Sequence, residues 1–238
     1  MRRLWLVPSV VVAALVVLGP LLSHLEWVSP ERGFRLYLSG VVLAALSAGA
    51  FGGASAVAAA LGRAWRPQAL RAALVPLLIA LVSVAPGLGG PKWPFNDVST
   101  DLDDPPTFLT GPAAGVPYPP EFAGPQREIF PEIEGSIRLA LPPSQSVRRV
   151  DQVARSMRAW EVVQVNPTDG LVQATAVSRI FRFRDDVIVR VRPDAAGSKI
   201  DVRSRSRVGR SDLGTNAARV QAFRGALLEA ASSTAGND

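Results

Sequence analysis

The chain of 238 residues has no cysteine and one histidine, so several kinds of chemistry are missing from it. Without cysteine it forms no disulfide and no thiolate metal site, and this is compatible with an oxidising compartment. The histidine, His24, has no catalytic partner near it in the sequence, so we interpret it as a spectator at a helix end. We expect no cofactor and no resident metal, and an enzyme is the less favoured class.

Charged residues are also absent from three long apolar stretches, residues 4–22, 36–61 and 72–88. Each is close to the ~20 residues that a helix needs to cross the hydrocarbon core of a bilayer. None has the polar stripe of a helix in a soluble protein, and no signal-peptide cleavage pattern follows the first stretch. We therefore predict a domain of three transmembrane helices over residues 1–90, with the membrane lipid bilayer as its partner.

The Lys and Arg residues around these stretches predict the orientation of the chain. Five lie on the side of the N-terminus: Arg2, Arg3, Arg63, Arg66 and Arg71. Three lie on the other side: Arg32, Arg35 and Lys92. Because the more basic side is usually cytoplasmic, we predict a multi-pass protein of the cytoplasmic membrane, with a cytoplasmic N-terminus and an extracytoplasmic C-terminal domain.

Small residues recur at four-residue spacing in the second stretch, at Ala45, Gly49 and Gly53. Such spacing lets another helix approach closely. We favour packing of Gly49 and Gly53 against the first and third helices, with contact to a partner membrane protein as the alternative. Transport is disfavoured, because no ionisable residue lies inside a predicted span.

Residues 91–143 hold 12 of the 20 prolines, which predicts an irregular connector without regular helices or central strands. The connector is acidic, with eight Asp and Glu against two Lys and Arg over residues 91–137. Its aromatic residues, such as Phe95 and Phe108, are unusual in a disordered linker. We therefore expect part of it to dock on the domain that follows.

Residues 144–233 have the pattern of a small α+β domain, and residues 234–238 are predicted to be a disordered tail. Apolar residues at helical spacing predict a helix over 146–160, and a second helix begins near Gly214. Alternation and turn signals predict strands over residues 161–165, 171–177, 186–192 and 199–205. The predicted fold is a membrane α-helical part plus a two-layer α+β domain with an antiparallel four-stranded sheet.

The predicted sheet carries a basic face. Residues 138–224 hold 17 Lys and Arg against 8 Asp and Glu. Strand alternation places Arg190 and Arg192 on one face of their strand, and Arg203 and Arg205 on one face of the next. We expect these arginines to share a face of the sheet, with the acidic connector lying across it.

The junction between the last strand and the last helix is the candidate site. A helix start attracts anions, because its first N–H groups are unpaired and its dipole is positive there. The ligand predicted is a phosphate or carboxylate group of an anionic lipid or envelope polymer. The candidate residues are Arg203, Ser204, Arg205, Ser206, Arg207, Gly209, Arg210, Asp212, Gly214 and Asn216.

The same residues also fit a purely structural interpretation, which is the more common use of such groups. In it, Asp212 caps the helix and pairs with Arg207 or Arg219. Arg203 then pairs with Asp185 or Asp186. Binding of nucleic acid is disfavoured, because the predicted topology places the arginines outside the cytoplasm.

Three segments together resemble a bacterial family called domain of unknown function 1499. They are residues 96–101 (NDVSTD) with Pro105 and Pro106, residues 181–187 (FRFRDDV) and residues 201–216 (DVRSRSRVGRSDLGTN). The similarity extends from about Asn96 to Arg224. It implies that residues 96–106 belong to the folded unit, and it supplies no activity, cofactor or catalytic residue. The three-helix N-terminal part resembles the membrane-anchored members of this bacterial family only in hydropathy, and we place it in the bacterial inner membrane.

We therefore expect a non-enzymatic membrane protein whose extracytoplasmic α+β domain binds an anionic ligand or an envelope partner. One alternative is a structural subunit of a membrane assembly. A less favoured one is an envelope hydrolase with Asp185 and Asp186 as an acid/base pair, although adjacent strand residues point to opposite faces.

Overall fold

The computed structural model describes residues 7–63, 66–88 and 95–235. The chain divides into two units, one of the first 90 residues with Arg179–Arg182 and one of residues 91–178 with 183–238. Some predictions fall outside the described residues: the start of the first span, the basic Arg2 and Arg3, Lys92, and residues 236–238 of the tail.

The first unit contains three helices, α1 (Val7–His24), α2 (Pro30–Ala60) and α3 (Arg66–Leu88). Two of them, α1 and α2, are long and apolar enough to cross a membrane. Only 22% and 17% of their most apolar windows is buried, unlike a core helix of a soluble protein. In α3 the apolar stretch among the described residues is shorter, Pro67–Ser83. Two apolar helices compatible with membrane anchoring are therefore present.

Glycines bring α1 and α2 into close contact. An added Cβ at Gly33 would lie 2.7 Å from the carbonyl oxygen of Gly19, and one at Gly40 would lie 2.7 Å from Cγ2 of Val16. At Gly49 and Gly53, by contrast, an added Cβ would meet no atom within 4 Å. The preferred interpretation of Gly49 and Gly53 as packing positions within the three helices is therefore wrong, because α1 approaches α2 closely at Gly33 and Gly40 instead.

The second unit contains one antiparallel sheet of six strands, so the predicted count of four is corrected. The strands are β1 (Asp97–Ser99), β2 (Ile137–Leu139), β3 (Trp160–Asn166), β4 (Leu171–Val177), β5 (Arg184–Asp194) and β6 (Gly197–Ser206). Their order is β1-β6-β5-β4-β3, and β2 also pairs with β6. The two extra strands have three residues each, too few for an alternating pattern to be recognised.

The four longer strands form where the sequence predicts them, because their turns carry strong local signals. Asn166 Oδ1 accepts the backbone N–H of Asp169, which closes the turn between β3 and β4. Gly170 follows with φ +68°, and an added Cβ would collide with the carbonyl oxygen of Val191. Only glycine fits this position, so the Asp-Gly step determines the hairpin.

Two helices, α5 (Pro143–Ser156) and α6 (Thr215–Ala235), cover one face of the sheet. The Pro-rich segment contains a short helix, α4 (Ala123–Ile129), and two 3₁₀ turns, Pro120–Phe122 and Pro131–Ile133. The helix predicted to end at Trp160 ends at Ser156, because Ala159 adopts φ 65° and Trp160 begins β3. The Trp160 ring stacks on Phe223 of α6 at 5.4 Å. Helix α6 continues to Ala235, two residues into the predicted tail.

The opposite face of the sheet is covered by the segment of residues 100–118. Phe108 and Ala113 of this segment pack on Ile188 of β5 and form a small second apolar cluster. The Gln173 side chain of β4 accepts the backbone N–H of Leu109 at 2.7 Å. We call residues 100–118 the acidic segment.

Candidate functional site

The register of β5 and β6 places the arginines of the two strands on one face. Arg203 is opposite Ile188, and Arg205 is opposite Asp186. Val202 and Ser204, which alternate with these arginines in β6, belong to the face that carries the helices. The prediction that the arginines share a face is confirmed, and it is the face under the acidic segment.

Arg203 is the most enclosed of the candidate arginines, with 1% of its surface exposed. Its Nε and Nη2 donate to the two carboxylate oxygens of Asp97 at 3.0 and 2.7 Å. Its Nη1 donates to the carbonyl oxygens of Pro106 and Val116, each at 3.1 Å. The predicted pairing of Arg203 with Asp185 or Asp186 is therefore wrong, because strand β1 brings Asp97 to it first.

The surroundings of this ion pair are apolar and aromatic. The guanidinium lies 4.9 Å from the centre of the Phe108 ring and 5.6 Å from that of Tyr118. Burial raises the pKa of Asp97 above its ordinary value of 3.8, while the hydrogen bond and charge of Arg203 act in the opposite direction. Burial, and then the charge of Asp97, raise the pKa of Tyr118. Removing either Arg203 or Asp97 would leave the other charge buried without a partner, which is strongly destabilising.

Asp185 and Asp186 each hold a different arginine. Arg207 donates from Nε and Nη2 to Asp186 at 3.0 and 2.7 Å, and this hydrogen bonding raises the pKa of Arg207. Arg219 of α6 donates to Asp185 at 2.7 Å. The two carboxylates therefore lie on opposite faces of β5 and do not form an acid/base pair.

The backbone N–H groups at the start of α6 already bind a carboxylate of the chain itself, that of Asp212. Asp212 accepts the backbone N–H groups of Gly214 at 2.9 Å and Asn216 at 2.7 Å. The predicted cap is confirmed. The predicted pairing of Asp212 with Arg207 or Arg219 is wrong, because both arginines form ion pairs with aspartates of β5. Two of the donors that the sequence offered to an external anion are therefore satisfied by a carboxylate of the chain itself.

The hydroxyls of the candidate site belong to a buried network between β6 and α6. Ser204 Oγ donates to Asn216 Oδ1 at 2.7 Å, and Asn216 Nδ2 donates to Ser206 Oγ at 3.0 Å. Arg219 Nη1 donates to Ser204 Oγ at 2.9 Å. These residues hold the helix to the sheet, and Ser204 and Asn216 are fully buried.

Arg205, Gly209 and Arg210 differ from the other candidates. The Arg205 side chain is 28% exposed, and its Nη1 lies 3.7 Å from a carboxylate oxygen of Asp97. This Nη1 is buried and has no hydrogen-bond partner among the described residues. Arg210 is exposed, and the carbonyl oxygen of Gly209 accepts from Asn96 Nδ2 at 2.5 Å. The structure thus brings the candidate residues into one region, in which the Arg205 side chain is partly exposed and Arg210 is exposed.

A second ion-pair cluster joins the acidic segment to the other end of β5 and β6. Arg192 donates from Nη2 to Asp101 and to Asp201, each at 2.8 Å, and from Nη1 to Asp104 at 2.6 Å. Burial would raise the pKa of Asp101, but the backbone N–H of Asp104 and the nearby cations lower it overall. This cluster fastens the acidic segment to the sheet.

The family described as Protein of unknown function (DUF1499) matches residues 97–227, which is more than half of the chain. The chain belongs to the DUF1499 family. The match begins at β1 and ends inside α6, so the DUF1499 domain includes the acidic segment as well as the sheet and its helices. No curated protein and no solved structure matches the chain.

The partners of the DUF1499 arginines are what sequence reasoning missed. Asp97, Asp101 and Asp104 were visible only as part of an excess of negative charge in a Pro-rich stretch. That excess correctly indicated contact with a basic face, but the pairs depend on β1 lying beside β6. Within the described ranges, no three His, Asp or Glu side chains are grouped to hold a metal.

Proposed function

We propose that this chain is a multi-pass protein of the bacterial cytoplasmic membrane that presents its DUF1499 domain on the extracytoplasmic side. Two apolar helices support the anchoring. The proposal adds α3 as a third span, because a helix of 23 residues extends roughly 35 Å, enough to cross the hydrocarbon core. An odd number of spans puts the domain on the side opposite the N-terminus, and Arg63 and Arg71 favour a cytoplasmic connection between α2 and α3.

The proposed activity is binding of an anionic ligand or envelope partner, without catalysis. The observation that carries it is the partly exposed Arg205 side chain, whose buried Nη1 has no hydrogen-bond partner among the described residues and lies 3.7 Å from a carboxylate oxygen of Asp97. A buried donor left unpaired is costly, and an oxygen of a phosphate or carboxylate would satisfy it. Arg210, exposed in the loop that follows β6, supplies a second positive charge. The absence of catalysis is supported by the carboxylates of β5, which are held in ion pairs.

Binding is tested with the full-length chain in nanodiscs of phosphatidylcholine, titrated calorimetrically with inorganic phosphate at low ionic strength. Because a hydrogen bond to a charged group contributes about 1.5–3 kcal/mol, we expect Arg205→Ala to weaken binding by about 10- to 100-fold. Arg148→Ala, which changes an exposed arginine of α5, is the matched control and leaves the affinity unchanged. Equal affinity of the Arg205 variant and the control would refute the proposed anion site.

The proposed orientation is tested separately by labelling. The chain has no cysteine, so Asp169→Cys places a single thiol in the exposed turn between β3 and β4. We expect a membrane-impermeant maleimide to label this thiol in intact spheroplasts. Labelling that occurs only after the spheroplasts are lysed would place the DUF1499 domain in the cytoplasm.

A second candidate function is that of a subunit in a membrane assembly, and it is favoured by the open surface at Gly49 and Gly53 of α2. Small residues that face no helix of their own chain permit close approach by another protein. Single cysteines at Gly49 and Gly53 should then crosslink to a partner in native membranes. Leu43→Cys, which is exposed on another side of α2, is the control and should not crosslink.

A further inference from the structure

The loop between β6 and α6, residues 207–214, exposes apolar side chains that nothing in the DUF1499 domain covers. Val208 is 44% exposed and Leu213 is 60% exposed, on either side of the exposed Arg210. Leu213 also adopts φ 55°, in the left-handed region that is strained for residues other than glycine. The backbone strain at Leu213 is therefore not offset by packing of its side chain inside the domain.

This loop lies at the end of the domain where the chain enters it. The backbone N–H of Ser206 donates to the carbonyl oxygen of Asn96 at 2.9 Å, and the Asn96 side chain donates to Gly209. Six residues separate Leu88, the end of α3, from Phe95. A chain of this length spans at most about 25 Å. The turns at Gly170 and at residues 195–196 lie at the other end of the strands.

We infer that the loop of residues 207–214 docks on the surface of the lipid bilayer in which the chain's own helices lie. Val208 and Leu213 enter the boundary between head groups and acyl chains, and Arg210 binds the phosphate of an anionic lipid. Exposed apolar side chains beside basic residues are typical of segments that bind at membrane interfaces. The inference rests on the proposed membrane topology, and it names a phospholipid head group as the anion.

The absence of cysteine allows a direct measurement on the full-length chain. Leu213→Cys is labelled with the fluorophore NBD, and the protein is reconstituted into vesicles of phosphatidylcholine and phosphatidylglycerol that carry doxyl quenchers both near the head groups and in the middle of the acyl chains. Asp169→Cys, at the other end of the sheet, is the control for a label in water. Leu46→Cys, in the exposed apolar surface of α2, is the control for a label in the bilayer.

We expect the Leu213 label to be quenched at least threefold more than the Asp169 label, and Val208→Cys to behave likewise. If the Leu46 label is quenched while the Leu213 and Val208 labels match the Asp169 label, the helices are in the bilayer and the loop is not, so this inference is overturned. If the Leu46 label is not quenched, the proposed topology fails, and the inference fails with it.

The role of Arg210 is tested with two further arms. We expect Arg210→Ala to reduce the quenching of the Leu213 label at least twofold in vesicles with phosphatidylglycerol, and to have little effect in pure phosphatidylcholine. An equal effect in both would overturn recognition of the anionic head group. Binding of inorganic phosphate that requires Arg210, without quenching of the loop label in any vesicle, would identify free phosphate and not lipid as the ligand.

Discussion

The two faces of the DUF1499 sheet are held by different interactions. On the face that carries α5 and α6, apolar side chains such as Val202 and Ile200 pack against Phe223. On the face under the acidic segment, Arg203 and its neighbours are enclosed by carboxylates and backbone carbonyls. Apolar packing tolerates small changes of volume, whereas a buried ion pair requires both partners. We therefore expect equal-sized changes on the two faces to have unequal effects.

The largest effect is expected from Arg203→Met, which leaves Asp97 charged and buried without a partner. Breaking a buried ion pair on one side typically costs about 3–5 kcal/mol. The free energy of unfolding is measured by urea denaturation of the full-length protein in a mild detergent. Arg138→Met is the control, because Arg138 forms an exposed pair with Asp194 and should cost less than about 1 kcal/mol. A loss for Arg203→Met as small as for the control would contradict this view of the charged face.

A smaller, pH-dependent effect is expected from Asp101→Asn in the second ion-pair cluster. Its hydrogen bonds to charged groups contribute about 1.5–3 kcal/mol at neutral pH. Because the pKa of Asp101 is lowered in the folded state, its contribution is present above the ordinary value of 3.8 and is lost as the pH falls through the folded pKa.

The wild type should therefore be more stable than Asp101→Asn at pH 7, and the difference should shrink as the pH falls below about 4. Urea denaturation at a series of pH values gives this difference directly. A constant difference between pH 7 and pH 3 would mean that the Asp101 carboxylate does not contribute through its charge.

A still smaller effect is expected on the apolar face of the same strand. Ile200→Val removes one buried methylene opposite α5 and α6 and should cost about 0.5–1.5 kcal/mol. Ile200 is fully buried and lies three positions from Arg203 in β6, so the two variants probe the two faces of one strand. If Ile200→Val lowered the free energy of unfolding as much as Arg203→Met, the expected difference between the two faces would be contradicted.

The smallest effect is expected from Arg127→Gln, at the surface of the Pro-rich segment. Arg127 pairs with Glu134 at 2.8 Å, and both side chains are more than a third exposed. Exposed pairs contribute little to stability and are screened by salt. The urea midpoint should change little, and any change should disappear at high ionic strength. A salt-independent loss would indicate that this pair is part of the buried charged face.

The helix face could be predicted well from the sequence, because it depends on local signals. The apolar period of α5 and the Asp-Gly turn at Gly170 are both readable in short windows. The charged face was predictable only in outline. Its pairs depend on β1, which has three residues and is recognised only by its place beside β6. Such a strand has no pattern of its own, so the partner of Arg203 could not be named.

The candidate site shows the same division. That Asp212 caps α6 follows from its position before the helix, and the sequence predicted it. Which arginines remain near the surface could not be predicted, because Arg203, Arg205 and Arg207 occupy alternate positions at the end of β6 and just after it, and their sequence surroundings are alike. Burial under the acidic segment separates Arg203 from Arg205, and the ion pair with Asp186 distinguishes Arg207.

The central claim is that Arg203 and Asp97 form a structural pair that the acidic segment closes over, and a double-mutant cycle tests it most directly. The unfolding free energies of the wild type, Arg203→Met, Asp97→Leu and the double variant are compared by urea denaturation. Neighbours in one buried pair typically show coupling energies of about 0.5–3 kcal/mol. We predict a double variant at least about 1 kcal/mol more stable than the two single losses added together, since neither charge is then left alone. Strictly additive losses would contradict the account.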